Sequence, residues 1–253
     1  ALADDHFYLT SAAAAEEMDE DLLRARAAGL NVQVENVTEA FGVIALMGPR
    51  AGDILGALTD ADLGAGFPWL SVREIVVAGI PVRALRVSYV GEPGWELHAP
   101  ADRTGALFDA LEAAGRPHGI GPFGAYAMNA MRLEKGYRAW GADFTTERTP
   151  AETGAGALVR AEGRDFVGRD ALLNRMVADN RWEMVLLSID ADAADPFYSH
   201  TIWHEGRPVG IVTSAAWGHR TGRLLALAYL RERGLRSGLS VQILRQSYPV
   251  TVL

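Results

Sequence analysis

The fourteen residues Val87 to Pro100, VSYVGEPGWELHAP, bring two carboxylates and two aromatic rings into one short stretch. Side chains alternate across a β-strand, so Trp95 and Leu97 are expected on one face. Glu96 and His98 would then lie on the other. If that second face lines a pocket, Glu96 can accept paired N–H bonds from a ligand. If it faces water, the segment is an ordinary hairpin, and residue types and spacing alone leave both interpretations open.

The four residues Glu92-Pro93-Gly94-Trp95 favour a tight turn. Proline at the second position and glycine at the third are the residues that a type II turn prefers. We therefore predict that a strand over residues 82–90 folds back onto a strand over residues 95–98. The turn gives Glu92, Pro93 and Gly94 a structural role but leaves the role of Glu96 open.

Other catalytic motifs are missing from the sequence or stand in the wrong context. The chain has neither a GxSxG elbow nor a Walker loop, so nothing supports a serine hydrolase or a P-loop enzyme. Residues 119–124 match GxGxxG, but they follow a predicted helix rather than a strand, and the glycines are expected to link two helices. The six histidines show no HExxH spacing and there is no cysteine, so we predict no metal site.

The composition is that of a globular protein. The chain has 253 residues, 49% of them hydrophobic, and a formal charge of −8, so we expect neither a nucleic-acid nor a membrane partner. It contains no apolar run of membrane-spanning length and no signal-like segment, and the lack of cysteine fits a reducing compartment, which together favour a cytoplasmic protein. The sequence starts at Ala1 without a methionine and stops within a strand-like run, so we expect it to be part of a longer protein.

The hydrophobic pattern predicts an α+β arrangement over the first part of the chain. Ser11 is expected to cap a helix over residues 12–28, whose acidic first half and basic second half suit the helix dipole. The patterns that follow predict strands over residues 32–37 and 41–47, a short helix from 48 to 58, a β-meander from 72 to 90, and helices over 102–114 and 122–135.

Beyond Gly136 the sequence changes to short strands and turns, with one helix near residues 169–177. The residues His204-Glu205-Gly206-Arg207 are predicted to form a hairpin turn. Short strands at regular spacing predict a small β-barrel or sandwich. We therefore predict an α+β region over residues 1–160 and a C-terminal β-barrel region over residues 161–253.

Six motifs, spread in order over nearly the whole chain, resemble those of one family. They are GPR (48–50), YVGEPGWE (89–96), RLEKGYRAWGAD (132–143), TPAETG (149–154), DFVGR (165–169), and VTS (212–214) with LLALAY (224–229). Together they resemble the folate-binding aminomethyltransferase superfamily, the glycine cleavage T-proteins. The third motif is most similar to the folate domain of dimethylglycine and sarcosine dehydrogenases. Six ordered motifs are far more specific than any one of them.

The resemblance gives the two glutamates different roles. It implies that Glu92 belongs to the turn, that Glu96 binds the pterin ring of tetrahydrofolate, and that Tyr89 lines the wall of the pocket. The pterin N3–H and 2-amino group form a planar edge with two donors, which a carboxylate accepts in a bidentate manner. The resemblance also implies folate-binding positions for Tyr137 and Trp140. The alternative for these two rings is packing at a domain junction.

The resemblance further implies a T-protein-like folate-binding fold of the α+β class, with ferredoxin-like α+β regions, a small C-terminal β-barrel, and an N-terminal part missing here. The catalytic aspartate of the family is expected upstream of Ala1, so we predict no catalytic residue within the chain. Met128 and Ala12 stand where T-proteins have an arginine and an asparagine, which suits the dehydrogenase-type branch better. Arg132 and Glu134 are predicted to form a structural ion pair.

The implied function is tetrahydrofolate-dependent one-carbon transfer, as the folate domain of a dimethylglycine- or sarcosine-dehydrogenase-like protein that forms 5,10-methylenetetrahydrofolate. The expected partners are tetrahydrofolate, a small methylated amine and an upstream flavin domain, and FAD would be a cofactor only if that domain precedes this chain. Two alternatives stay open. One is a standalone folate-dependent aminomethyltransferase, methyltransferase or demethylase, and the other is a non-catalytic folate-binding module.

Overall fold

A computed structural model describes residues 1–163, 165–178, 182–191 and 194–253. The chain divides into two compact units, Ala1–Pro122 and Phe123–Leu253. The division between residues 160 and 161 rests on the change in sequence pattern and stays a prediction. No helix within the described ranges is long and apolar enough to cross a membrane. The cytoplasmic location also stays a prediction.

The first unit is an antiparallel four-stranded sheet with three helices. Its elements are α1 (Glu16–Ala27), β1 (Phe41–Met47), α2 (Ala51–Gly56), β2 (Val72–Val77), β3 (Ile80–Leu85), β4 (Gly94–Pro100) and α3 (Thr104–Gly115). The strands lie in the order β1-β4-β3-β2, and every neighbouring pair is antiparallel. Strand β4 carries Glu96, the second glutamate of YVGEPGWE, and lies in the centre of the sheet. Its side chains are therefore restricted to two well-defined faces.

One face of this sheet is apolar and packs against helices α2 and α3. Trp95 and Leu97 of β4 and Val82 of β3 are at most 2% exposed and lie in one cluster with Leu107 and Leu111 of α3. Each such side chain contributes roughly 1.5 to 3 kcal/mol when fully buried. The opposite face carries Glu96 and is not part of that cluster, so the predicted alternation along β4 is confirmed.

Two predictions near the N-terminus are wrong. Residues 32–37 do not form a strand, and the side chain of Asn36 bonds elsewhere: its Oδ1 accepts the N–H of Thr38 at 2.9 Å, and its Nδ2 donates to Glu16 and Glu20. Ser11 does not cap the first helix, since α1 begins only at Glu16, after a short 3-10 turn, and its N-cap makes no side-chain hydrogen bond.

The second unit contains helix α4 and a closed β-barrel. Its elements are α4 (Ala125–Glu134), α5 (Arg169–Ala178), β5 (Glu183–Ile189), β6 (Thr201–His204), β7 (Arg207–Gly218), β8 (Arg223–Leu230), β9 (Leu239–Ile243) and β10 (Gln246–Val252). The strands close in the order β10-β5-β8-β7-β6-β9. Closure leaves no sheet edge open for association, and it confirms the predicted C-terminal barrel.

Apolar side chains from the strands fill the interior of the barrel. Inward-facing side chains such as Leu187, Ile202 and Val212 are fully buried and form the core. Between β6 and β7, Glu205 and Gly206 both adopt positive φ, 47° and 75°, as a tight two-residue hairpin turn requires. The hairpin predicted at this position is therefore confirmed.

Candidate functional site

Glu96 and His98 lie next to each other on the open face of the first unit's sheet. Glu96 stands between Ala45 of β1 and Leu85 of β3, and His98 pairs with Arg83 of β3. The side chain of Glu96 is 36% exposed, whereas that of His98 is only 5% exposed. The distance from His98 Nε2 to Glu96 Oε2 is 3.8 Å. The arrangement leaves one carboxylate accessible above the sheet, with a buried imidazole beside it.

Tyr8 and Arg83 complete this cluster. The hydroxyl of Tyr8 lies 2.9 Å from His98 Nδ1, and the two rings meet edge to face. The guanidinium of Arg83 lies 4.2 Å from the centre of the Tyr8 ring, and its Nε donates to Glu74 Oε1 at 2.7 Å. Arg83 therefore connects Glu74 to Tyr8, and Tyr8 contacts His98. His98 is the member of this series that lies beside Glu96.

Sequence reasoning missed both Tyr8 and Arg83 as members of the site. Tyr8 is 90 positions from His98 and belongs to no regular element, so no local pattern points to it. Arg83 could have been found, because the alternation of β3 puts it on the open face and the antiparallel pairing of β3 with β4 aligns it with His98.

The loop before β4 is longer than the tight turn that the sequence predicts. Strand β3 ends at Leu85, and residues 86–93 form an irregular connection that is anchored where Gly48 N–H donates to Pro93 O at 2.8 Å. A type II turn at 92–95 would require positive φ at Gly94. Instead Gly94 is the first residue of β4, and Gly91 takes the positive φ, 73°. The type II turn is wrong, although β3 and β4 are paired as predicted.

Tyr89 lies in this connection and is partly buried. It belongs to the same unit as Glu96, seven residues before it in the chain. Its role as a wall of the ligand pocket stays a prediction.

Tyr137 and Trp140 belong to the second unit, in the loop that follows α4. Their side chains are 37% and 59% exposed. The loop beneath them is fixed: Arg132 Nη1 donates to Tyr137 O at 2.7 Å, and Ala139 N–H donates to Asp143 Oδ2 at 2.8 Å. The two rings are therefore displayed on a held backbone, and their contact with a ligand stays a prediction.

Arg132 and Asp143 form the buried centre of that loop. Arg132 Nη1 lies 2.6 Å from Asp143 Oδ2, and the other carboxylate oxygen accepts hydrogen bonds from the hydroxyls of Thr213 and Ser214. Tyr229 donates its hydroxyl to Asp143 O at 2.7 Å, and burial raises the pKa of Tyr229 to about 12. Every part of this network lies within the second unit, so it stiffens that unit from α4 to the barrel.

The predicted partner of Arg132 was wrong. Its side chain pairs with Asp143, while Glu134 Oε1 accepts the backbone N–H groups of Arg220 at 2.9 Å and Thr221 at 2.8 Å. Residues two apart on a helix point in different directions, so Arg132 and Glu134 do not face each other. Both side chains are structural, as predicted, but they serve two separate contacts.

Comparison with family models gives a direct result for both parts of the chain. The GCVT N-terminal domain model matches residues 1–163, and the glycine cleavage T-protein C-terminal barrel domain model matches residues 183–253. The chain belongs to the glycine cleavage T-protein family. The T-protein barrel model coincides with the closed barrel of β5 to β10, and the N-terminal model includes the sheet that carries Glu96.

Curated relatives of this T-protein chain fall into two groups. It is 35% identical to mouse mitochondrial dimethylglycine dehydrogenase over 89% of its length and 34% identical to mouse mitochondrial sarcosine dehydrogenase over 79%. It spans only 26% and 22% of those proteins. It is also 35% identical to an aminomethyltransferase of Streptomyces coelicolor, covering 83% of this chain and 57% of that one.

Among solved structures, the T-protein fold is matched by the glycine cleavage system aminomethyltransferase T of Bartonella henselae. The TM-score is 0.79, the match covers 95% of this chain and 65% of the other, and the identity is 23%. This likeness shows the fold. The predicted T-protein-like α+β fold with a C-terminal barrel is therefore confirmed by the family models, the topology and the structural neighbour together.

Proposed function

We propose that this chain binds tetrahydrofolate through Glu96 and carries out one-carbon transfer to it, as the folate part of a dimethylglycine- or sarcosine-dehydrogenase-like protein. The observation that carries the proposal is the position of Glu96. It is a partly exposed carboxylate on the open face of a central strand, within a chain of the T-protein family. The similarity to dimethylglycine dehydrogenase over 89% of the chain supports the choice of branch.

The residues present fit the chemistry of a pterin. Its N3–H and 2-amino group form a flat edge with two donors, and an ionised carboxylate has two acceptor oxygens at matching separation. Glu96 has a partly exposed carboxylate, and His98, which is buried beside it, offers a ring nitrogen rather than a competing carboxylate. We assign Tyr89, which belongs to the same unit as Glu96, to a ring contact with the ligand, because aromatic faces cover flat heterocycles well. The folate-binding roles of Tyr137 and Trp140 in the second unit stay predictions.

Tetrahydrofolate supplies two nucleophilic nitrogens, N5 and N10, and capture of a carbon at the oxidation level of formaldehyde gives 5,10-methylenetetrahydrofolate. The task of this chain is then to orient the acceptor and to keep bulk water away from the electrophilic carbon. In the dehydrogenase-like arrangement, a flavin-containing part of the full-length protein would use FAD as the two-electron oxidant of a small methylated amine, and the carbon would pass to tetrahydrofolate as the demethylated amine leaves. The fact that this chain spans about a quarter of such relatives agrees with a division of labour between parts.

Calorimetric titration of the full-length protein with tetrahydrofolate tests the role of Glu96. Glu96→Gln replaces one acceptor oxygen by a donor that faces a donor, so we expect a loss of roughly 2 to 4 kcal/mol, which is about thirtyfold or more in Kd. Glu92→Gln is the matched control, since it changes the other glutamate of the same motif and is expected to leave Kd nearly unchanged. Equal affinity of the wild type and Glu96→Gln would remove Glu96 from the site and the proposal with it.

A standalone aminomethyltransferase is the second candidate, supported by the Streptomyces coelicolor relative, of which this chain covers 57%. The two candidates differ in what the full-length protein carries. A flavin absorption spectrum and reduction of that flavin by dimethylglycine or sarcosine would select the dehydrogenase-like protein. A colourless protein that produces methylenetetrahydrofolate from an aminomethylated carrier would select the standalone enzyme.

A further inference from the structure

We propose that His98 is the positioning residue for Glu96, and that Tyr8 sets the tautomer of His98 that makes this possible. The inference rests on the proposed function, because it concerns how Glu96 meets the edge of a pterin. It gives functional roles to His98 and Tyr8, which lie outside the six motifs that resemble the T-protein family. The claim is that His98 Nε2–H holds one carboxylate oxygen of Glu96, so that the plane of the carboxylate is fixed before the ligand arrives.

The first observation is an unsatisfied nitrogen. His98 Nε2 is buried and has no hydrogen-bond partner among the described residues. A buried polar group left without a partner is destabilising, so native proteins rarely retain one. Glu96 Oε2 is 3.8 Å away, and its side chain is exposed enough to move. A shift of about 1 Å would bring the two atoms to hydrogen-bonding distance.

The second observation concerns which ring nitrogen carries the proton. Tyr8 OH lies 2.9 Å from His98 Nδ1. When Tyr8 donates to Nδ1, the neutral imidazole carries its proton on Nε2, the atom that faces Glu96. Arg83 lies over the Tyr8 ring and is itself held by Glu74, so Tyr8 is not free to turn away. The contacts therefore run in one direction, from Glu74 through Arg83 and Tyr8 to His98.

The burial of His98 decides how it acts. Its side chain is 5% exposed and Nε2 is not accessible, so a ligand that lies on the open face touches Glu96 and not the imidazole. A carboxylate has room for about four hydrogen bonds, so one N–H from His98 leaves both oxygens able to accept from a ligand. The effect of His98 is to restrict the rotamers of Glu96, which reduces the entropy lost on binding.

The test is a double-mutant cycle on tetrahydrofolate affinity, measured by calorimetry on the full-length protein. His98→Leu removes the N–H donor, and we expect Kd to rise about tenfold. His98→Gln keeps an N–H donor at a similar reach and is expected to restore most of the affinity. In a Glu96→Gln background, His98→Leu should have no further effect, since the residue it positions has been changed. Val76→Ala, on the open face of β2, is the control substitution.

A purely structural role for His98 gives a different pattern. Its loss would then lower affinity by the same factor in both backgrounds, and that additivity would overturn the inference. Wild-type affinity in His98→Leu would overturn it as well. If His98→Leu does not fold, Tyr8→Phe carries the test, because it removes only the hydroxyl that sets the tautomer. We expect a severalfold rise in Kd for Tyr8→Phe with Glu96 present and none in Glu96→Gln, and any other result rejects the inference.

The outcomes also separate this inference from the proposed function. If Glu96→Gln binds tetrahydrofolate as tightly as the wild type, the proposed function fails, whatever the His98 variants do. If Glu96→Gln weakens binding and His98→Leu, folded by its thermal unfolding curve, does not, the function stands and the positioning role of His98 is rejected.

Discussion

Arg132 of helix α4 and Asp143 of the loop behind it form a fully buried ion pair, with Nη1 and Oδ2 2.6 Å apart and side chains 2% and 0% exposed. The pair closes the loop that displays Tyr137 and Trp140. Thr213 and Ser214 of β7 donate to the remaining oxygen of Asp143, so the loop is tied to the barrel as well as to the helix. Removing water from two charges is unfavourable, and it is offset here because both groups are hydrogen-bonded on several sides.

Asp143→Ala should strongly destabilise the protein. It leaves Arg132 buried without its carboxylate, and breaking one side of such a pair lowers the free energy of unfolding by roughly 3 to 5 kcal/mol. Urea unfolding measures the change. Glu20→Gln is the matched control, because Glu20 pairs with Arg24 on the exposed surface of α1, and we expect it to leave the free energy of unfolding nearly unchanged. Similar small effects for both variants would show that the Asp143 network does not stabilise the loop.

The raised pKa of Tyr229 predicts that the protein loses stability at high pH. Burial raises its pKa to about 12, from about 10 in the unfolded chain. Above pH 10 the unfolded state releases this proton while the folded state keeps it, so the stabilisation is complete below about pH 10 and is lost as the pH approaches 12, by roughly 2 kcal/mol. Tyr229→Phe removes the titrating group. Compared with the wild type in urea unfolding, it should be less stable at neutral pH, and the gap should narrow over that window.

The corresponding control is Tyr126→Phe, since the Tyr126 side chain is 94% exposed. Its stability difference from the wild type should stay constant over the same pH range. A constant difference for Tyr229→Phe too would mean that the Tyr229 hydroxyl titrates in the folded protein as it does in the unfolded chain.

Local sequence patterns correctly predicted which side chains share a face of β4, because this feature depends on one strand alone. The alternation of β4 separated Trp95 and Leu97 from Glu96 and His98, and the sheet confirms it because one face is packed and a register slip would bury the charges. The contacts that were missed or wrongly predicted depend on the tertiary fold and not on the local sequence. Tyr8 reaches the cluster from 90 positions away, and Asp143 is selected as the partner of Arg132 by the fold of the loop.

The type II turn predicted before β4 was wrong for a related reason. Pro93 and Gly94 have the types that a type II turn prefers, but pairing with β1 draws Gly94 into the strand, where it stands opposite Met47. Tertiary hydrogen bonding thus overrides a local turn preference. Gly91 then supplies the positive φ that the connection needs.

Gly94→Ala should therefore destabilise the first unit, and for a packing reason rather than a backbone-angle reason. A Cβ at this position would collide with the backbone carbonyl oxygen of Leu46 and lie close to Met47 Cα. Because backbone atoms cannot move aside easily, we expect a loss of about 1 to 3 kcal/mol in urea unfolding. Gly121→Ala in the same unit has open space and no positive φ, so it should have little effect. An equally small effect at Gly94 would show that β1 and β4 can separate to admit a methyl group.

The substitution Trp140→Ala distinguishes between the two roles considered for this ring, which are contact with folate and packing. The Trp140 side chain is 59% exposed, and its backbone is held by the Arg132–Asp143 pair, so its removal should change the free energy of unfolding by no more than about 0.5 kcal/mol. If it stacks on tetrahydrofolate, Kd should rise about tenfold, since aromatic contacts are worth roughly 1 kcal/mol beyond their buried area. Trp217→Ala is the control, a tryptophan of the same unit that is 46% exposed. Unchanged affinity together with a marked loss of stability would assign Trp140 to packing and would remove it from the proposed folate site.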